Sequence, residues 1–222
     1  MLLEQNIHGL CKKFGIHFDD FKLDMEIDHV GELTLHDLEA ICEEYEVDLH
    51  ALLFKPMFQP FHLKEKLQKI RCLVLDVDGV MTDGGMYFTE QGDQFKKYNT
   101  KDGMALLELG RQGMELAIIS SGFTQEMVHA RAKMLGIKHC YVTREPKLGV
   151  LKTLCEELGV DLEHVAVIGD DINDLELIKS SGISACPIDA VEEVKKHAQI
   201  ILTKKGGSGC VREFVDNYLM AK

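Results

Sequence analysis

No apolar run in the chain approaches the roughly 20 residues that a membrane-spanning helix needs. The opening Met1-Leu2-Leu3-Glu4-Gln5 also lacks the charged and apolar regions of a secretion signal, so a cytoplasmic protein with no membrane partner is expected. Paired cysteines are missing as well. The seven cysteines are odd in number, scattered and without a Cys-x-x-Cys, and the ten histidines form no His-Glu-x-x-His; disulfides and a zinc site are therefore not expected. Positive charge is scarce. A formal net charge of -12 argues against a nucleic-acid or anionic-membrane partner, because a phosphate backbone is held mainly by lysine and arginine. Internal repeats and low-complexity segments are absent too. What remains is a 222-residue chain, 45% hydrophobic, that can bury a sizeable core as one domain or as one domain with an appendage.

The acidity is uneven. Residues 1–63 hold 4 Lys/Arg against 13 Asp/Glu, net -9, which leaves net -3 for residues 64–222. Pattern changes at the same place. The first part predicts a small all-α domain: helices over Leu3 to Phe14, Asp19 to Met25, a Thr34-capped helix to Tyr45, and Asp48 to Phe54, with Pro56 and Pro60 marking a connector. Beyond residue 71, short apolar runs alternate with amphipathic helices, the rhythm of an α/β doubly wound parallel sheet. Strands are expected at Cys72 to Asp76, Leu116 to Ser120, His139 to Val142, Val165 to Gly169, Ile183 to Cys186 and Ile200 to Leu202. Helices are expected at Met104 to Leu109, Gln125 to Leu135, Lys147 to Leu158, Leu175 to Ser180, Val191 to His197 and Val211 to Met220. One interval breaks the alternation: Gly85 to Thr89, the turn-like Glu90-Gln91-Gly92-Asp93, and Gln94 to Asn99 read as an inserted β-hairpin.

Ligands of an open parallel sheet sit beyond the carboxyl ends of its strands. Polar residues ending several strands therefore form one constellation. Asp76 and Asp78 follow the first strand, Ser120 and Ser121 the second, and Gly169-Asp170-Asp171-Ile172-Asn173-Asp174 the fourth, while Lys147 opens a helix and supplies a cation. Taken singly, each is a common turn, cap or surface charge. Together, Asp76, Asp78 and Asp170 concentrate negative charge that calls for a hard divalent counter-ion on oxygen ligands, and Mg2+ is the economical choice because it leaves room for a substrate phosphate.

The order Asp76-x-Asp78-Gly79-Val80-x-Thr82-Asp83-Gly84, then Ser120, then Lys147, then Gly169-Asp170-Asp171-x-x-Asp174 resembles the four motifs of the haloacid dehalogenase superfamily of phosphohydrolases. Residues 70–222 resemble its small capless phosphatases of 3-deoxy-ulosonic acid phosphates, the octulosonate 8-phosphate and nonulosonate 9-phosphate types. The cues are Thr82-Asp83-Gly84-Gly85, Asn99-Thr100-Lys101-Asp102-Gly103 and Gly206-Gly207-Ser208-Gly209-Cys210-Val211-Arg212-Glu213. The resemblance implies Asp76 as nucleophile and Asp78 as proton shuttle, with Ser120 and Lys147 on the phosphoryl oxygens. It implies Mg2+ on Asp76, the backbone carbonyl of Asp78 and Asp170, with Asp171 and Asp174 supporting them. It also implies a sugar-phosphate substrate and a homotetramer in which the hairpin covers a neighbour's site, with Lys96, Lys97 and Lys101 as substrate-binding cations for a molecule that carries both a phosphate and a carboxylate. Gly79 lets backbone amides approach the phosphate, and Ser121, Gly122, Ser208 and Arg212 are placed around the sugar. Ser120-Ser121-Gly122-Phe123 and Ser208 depart from residues common in such enzymes, which leaves the sugar open.

In the N-terminal segment, the run Leu10-Cys11-Lys12-Lys13-Phe14-Gly15-Ile16, followed by the run from Thr34-Leu35-His36-Asp37-Leu38-Glu39 through Leu53, is similar to lambda-repressor-type helical domains. Its groove-facing stretch, Phe18 to Glu26, carries four acids and one lysine, so a protein partner is favoured over DNA. A second functional reading follows from that: a regulatory protein whose helical module makes macromolecular contacts while the phosphatase-like domain senses a metabolite.

Overall fold

The computed structural model describes residues 2–54, 57, 61–90, 94–122 and 125–220 and divides the chain into two compact units, residues 1–64 and 65–222. Pro56 and Pro60, the expected connector, lie outside the described residues. Among the described residues no helix is long and apolar enough to cross a membrane.

The first unit holds α1 (Leu2–Phe14), α2 (Phe18–Asp24), α3 (Leu35–Glu44) and α4 (Leu49–Phe54). Ile7, Leu10 and Cys11 share one stripe of α1 and bury it against Phe21, Val30, Leu38, Ile41 and Leu52. The start of α3 is held by a reciprocal cap: Thr34 N donates to Asp37 Oδ2 at 2.7 Å, and Asp37 N donates to Thr34 Oγ1 at 3.3 Å. Buried Asn6 donates to Leu52 O at 2.8 Å and accepts from Met57 N at 2.9 Å, which ties the chain after α4 back to α1. Glu26 (φ 53°) and Glu46 (φ 50°) close α2 and α3 in the left-handed region, where glycine or asparagine is usual. A fifth helix, α5 (Phe61–Gln68), spans the sequence boundary between the units. The apolar pattern did not predict it; among its residues whose burial is described, Leu63 and Leu67 mark the buried side.

The second unit is a six-stranded sheet of β1 (Cys72–Leu75), β4 (Glu115–Ser120), β5 (His139–Val142), β6 (Val165–Ile168), β7 (Ile183–Cys186) and β8 (Ile200–Ile201). Its order is β5-β4-β1-β6-β7-β8 and every pairing is parallel. Every residue of β1 is buried, the condition for an unbroken apolar run in a sheet covered on both faces. Cys72, Val74, Ala117, Ile119, Val165 and Val167 share a core with α8 (Lys147–Leu158), α9 (Leu175–Ser180) and α10 (Glu192–His197). Alternation sends Leu73, Leu75 and Ile118 to the opposite face, on the side of α6 (Thr100–Arg111) and α11 (Cys210–Phe214). α7 (Gln125–Met134) precedes β5.

From β1 the chain winds outward through β4 and β5, then returns to the other flank of β1 for β6, β7 and β8. The carboxyl ends of β1, β4 and β6 consequently face one crevice, the place where such sheets bind ligands. β2 (Tyr87–Phe88) and β3 (Gln94–Phe95) form the inserted antiparallel hairpin, pairing Tyr87 with Phe95. Residues 91–93 of its expected turn lie outside the described residues. Two helices of this unit differ from expectation by more than one residue. α6 begins at Thr100, because Asn99 caps it through Lys101 N and Asp102 N, and the last α-helix ends at Phe214 before a wider turn over Val215–Leu219.

Candidate active site

β1 ends at Leu75, and the backbone of Asp76 is still pinned to β6 through Asp76 N to Ile168 O at 3.0 Å. The Asp76 side chain thus emerges from the sheet centre in a fixed position, 7% exposed. The chain then bends sharply through Asp78 and Gly79, whose φ of +89° suits glycine alone. Space makes the same demand, because a Cβ at Gly79 would overlap the Asp170 carboxylate.

Pro146 starts α8, and Lys147, its first residue, is 4% exposed. Its ammonium donates to Asp76 Oδ1 and to Asp174 Oδ1, both at 2.6 Å. Asp174 is completely buried, and its other oxygen accepts from Asp170 N at 3.0 Å and Asp171 N at 3.4 Å. One side chain therefore holds both the loop after β6 and the lysine. The Asp171 carboxylate accepts from Ile172 N at 2.7 Å and caps the short turn that follows it, so its part in this structure is to shape the loop.

Three carboxylates face one lysine. Burial, then the charge of Asp174, push Asp76 up to about 7 against the pull of Lys147. Burial, then Asp76, Asp174 and Asp171, push Asp170 up to about 8. Burial pulls the Lys147 ammonium down, but Asp76 and Asp174 outweigh it and its pKa rises. Carboxylate oxygens of Asp76, Asp170 and Asp174 lie within 4.8 Å of one another, and Asp170 Oδ1 is buried without a hydrogen-bond partner. Asp174 is already committed to Lys147 and two amides, so Asp76 and Asp170 are the carboxylates free to share a cation. The uncompensated charge and the orphaned oxygen fit a hard divalent ion.

Ser120 ends β4 almost fully buried, and its hydroxyl accepts from Gly122 N at 3.2 Å. Gly122 keeps room over Asp78: a Cβ there would lie 3.3 Å from Asp78 Oδ2. Ser121 is half-buried beside it. Phe123 lies outside the described residues. Asp78 Oδ1 accepts from Lys96 Nζ and, at 3.5 Å, from the Thr82 hydroxyl. Of the three flap lysines, Lys96 is the one that meets Asp78. Lys97 reaches toward Asp83 at 3.9 Å with its side chain 72% exposed, and Lys101 stands exposed on the first turn of α6.

The tail residues support the site from behind. Gly207 N donates to Val80 O at 2.9 Å, Asn99 Nδ2 donates to Gly207 O at 3.2 Å, and a Cβ on Gly206 would collide with Gly79 O. Ser208 bonds Gly206 O at 3.3 Å within this loop, and the Arg212 guanidinium pairs with Asp216 at 2.6 Å. Ser208 and Arg212 thus spend these bonds away from Asp76, Asp78 and Asp170. Asp102, 3% exposed, accepts from Arg212 N at 2.7 Å and so clamps the start of α11 from α6. The motif containing Asp102 was visible in the sequence, but its role was not, since the two groups are 110 residues apart.

A buried lysine between two carboxylates, at the mouth of a parallel sheet whose first strand ends in Asp-x-Asp, defines a haloacid dehalogenase-like hydrolase, and the family model of that description matches residues 146–214. The chain belongs to this family and is a phosphatase, a phosphoric monoester hydrolase. Among its relatives, the 3-deoxy-D-manno-octulosonate 8-phosphate phosphatase KdsC of Salmonella typhi is 35% identical over 161 residues, covering 72% of this chain and 85% of the relative. The crystal structure of 3-deoxy-D-manno-octulosonate 8-phosphate phosphatase from Moraxella catarrhalis, in complex with magnesium ion, phosphate ion and KDO, superimposes with a TM-score of 0.71 at 34% identity, covering 74% of this chain and 94% of that one. The enzyme of the same name from Yersinia pestis gives a TM-score of 0.69 at 34% identity, covering 72% and 86%.

Proposed function

We propose that this phosphatase hydrolyses a 3-deoxy-ulosonic acid phosphate, of the octulosonate 8-phosphate kind named for its relatives, through an aspartyl-phosphate on Asp76. The supporting observation is the shared hold on Lys147, which fixes Asp76 and a phosphate-binding cation within one crevice.

In the first step an Asp76 carboxylate oxygen attacks phosphorus in line. The bond from phosphorus to the sugar oxygen breaks, and Asp78 gives that oxygen a proton. In the second step water attacks the same phosphorus, Asp78 takes the water's proton, and the Asp76–phosphorus bond breaks to release phosphate and restore the carboxylate. Lys147, the Ser120 hydroxyl and the amides around Gly79 receive the phosphoryl oxygens and offset the charge that develops on them. Asp76, Asp170 and the Asp78 carbonyl would hold Mg2+, which supplies charge neutralisation and orients the phosphate. Asp174 acts through Lys147 and the backbone of the Asp170 loop.

The hairpin supports a homotetramer in which each flap closes a neighbour's crevice. Met86, Tyr87, Phe88 and Phe95 are each more than half exposed, an apolar surface that a second copy would cover. For residues 1–63 we assign contacts with a protein partner. The acids of α2 oppose a phosphate backbone. Release of inorganic phosphate across a panel of octulosonate 8-phosphate, nonulosonate 9-phosphates and ordinary sugar phosphates, with and without chelator, tests the assignment. Preference for one of the 3-deoxy acids, lost on chelation, is the expected result.

A further inference from the structure

Lys147 serves the phosphoryl side of the crevice, which leaves Lys96 without a task in the chemistry. The segment from β3 into α6 alternates in exposure. The Lys96 side chain is 5% exposed and lies on Asp78, the Lys97 side chain is 72% exposed, and the Tyr98 hydroxyl is buried again. Lys96 and Tyr98 thus turn inward together. The Tyr98 hydroxyl has no hydrogen-bond partner, although burying a donor unpaired is unfavourable. Its ring is backed by Arg131, whose guanidinium carbon lies 5.2 Å from the ring centroid and whose Nη2 donates to Asn99 O at 3.3 Å. The hydroxyl is therefore held in place. Burial, then the charge of Asp78, push the Tyr98 hydroxyl up to about 12.

Direction follows from the proposed reaction, on which this inference rests. Asp78 must face the leaving oxygen, so a cation seated on Asp78 lies on the leaving-group side, away from Lys147 with its partners Asp76 and Asp174. An anion met there belongs to the sugar, not to the phosphate. We propose that Lys96 and Tyr98 form a carboxylate subsite for the leaving sugar acid, and that Lys96 rests on Asp78 until the substrate carboxylate takes it over. The exchange frees Asp78 Oδ1 for the leaving oxygen. A sugar phosphate without a carboxylate leaves the lysine where it is, so recognition of the acid is coupled to exposure of the proton shuttle.

Two measurements test this, with Lys96→Met, Lys96→Arg and Tyr98→Phe beside the natural chain. The first is the ratio of kcat/KM for a 3-deoxy-ulosonic acid phosphate to that for a sugar phosphate of equal length without the carboxylate. Lys96→Met should lower the ratio by roughly tenfold or more, Tyr98→Phe by a few-fold, and Lys96→Arg should restore most of it. The second is calorimetric binding of the free 3-deoxy-ulosonic acid and of its methyl ester, which needs no turnover. The acid should bind more tightly than the ester, and Lys96→Met should erase the difference. An unchanged ratio in both Lys96→Met and Tyr98→Phe, or equal binding of acid and ester to the natural chain, would overturn the subsite and leave the phosphatase assignment intact. A natural chain that binds the acid over the ester but cleaves neither phosphate would contradict the proposed substrate and still support the subsite.

Discussion

Lys147 reaches Asp76 and Asp174 at the same distance, 2.6 Å, so the lysine proposed to hold the phosphoryl oxygens is positioned by an aspartate that is itself wholly buried. Removing one partner of a buried, hydrogen-bonded pair strands the other charge. Asp174→Ala should therefore cost about 3–5 kcal/mol of stability. It should also lower kcat far more than it raises KM, because both Lys147 and the Asp170 loop lose their anchor. Chemical denaturation alongside steady-state kinetics checks this, and a variant of natural stability and rate would refute the arrangement.

Gly79→Ala should be among the most damaging one-carbon changes available. The residue combines φ +89° with a Cβ position already filled by the Asp170 carboxylate. Backbone strain alone is of order 1–3 kcal/mol, and relief of the overlap would displace a proposed cation ligand. Thermal shift with and without Mg2+ should show a lower starting midpoint and a smaller stabilisation by the ion.

In chelator-treated protein, stability should fall as pH rises. Asp76 and Asp170 sit at about 7 and about 8 when folded, against 3.8 as the ordinary value. The folded state thus binds more protons than the unfolded chain across that interval. The contribution of these two groups is fully present below about pH 3.8 and is lost as pH passes through 7 and 8. Melting midpoints between about pH 5 and 9 in chelator should slope downward, and saturating Mg2+ should flatten the slope by stabilising the deprotonated forms. Asp170→Asn should remove the upper part of the slope.

Glu26→Gly and Glu46→Gly should each stabilise the N-terminal unit. Both glutamates close a helix at positive φ, and relief of that strain is worth about 1 kcal/mol per site, less the added freedom of the unfolded chain. Urea denaturation followed in the full chain would register the change as a higher midpoint for that unit's transition.

The sheet was legible because its central strands are buried on both faces and so read as unbroken apolar runs, as in Cys72–Leu75 and Val165–Ile168. α8 and α9 were found to the residue, each bounded by a polar or proline start and a clear stop. Helix α5 was missed because eight residues with four charged or amide side chains show little period. At the site, strand ends announced Asp76, Ser120 and Asp170. What they could not announce was pairing. Lys96 finds Asp78 only through a hairpin that folds 18 residues back, and the tail supports Gly79 and Val80 by backbone contacts that leave no side-chain signature. Nor did spacing separate Lys96 from Lys97, whose opposite burial depends on which face of the flap meets the crevice.

The central claim is that Asp76 is the nucleophile of a Mg2+-dependent phosphatase acting on a 3-deoxy-ulosonic acid phosphate. Its most direct test is phosphate release from octulosonate 8-phosphate in Mg2+, by the natural chain and by Asp76→Asn at equal concentration, with folding verified by circular dichroism. The account predicts turnover by the natural chain and a loss of at least about 10³-fold in the folded variant. A folded Asp76→Asn protein releasing phosphate at a rate near the natural one would contradict it.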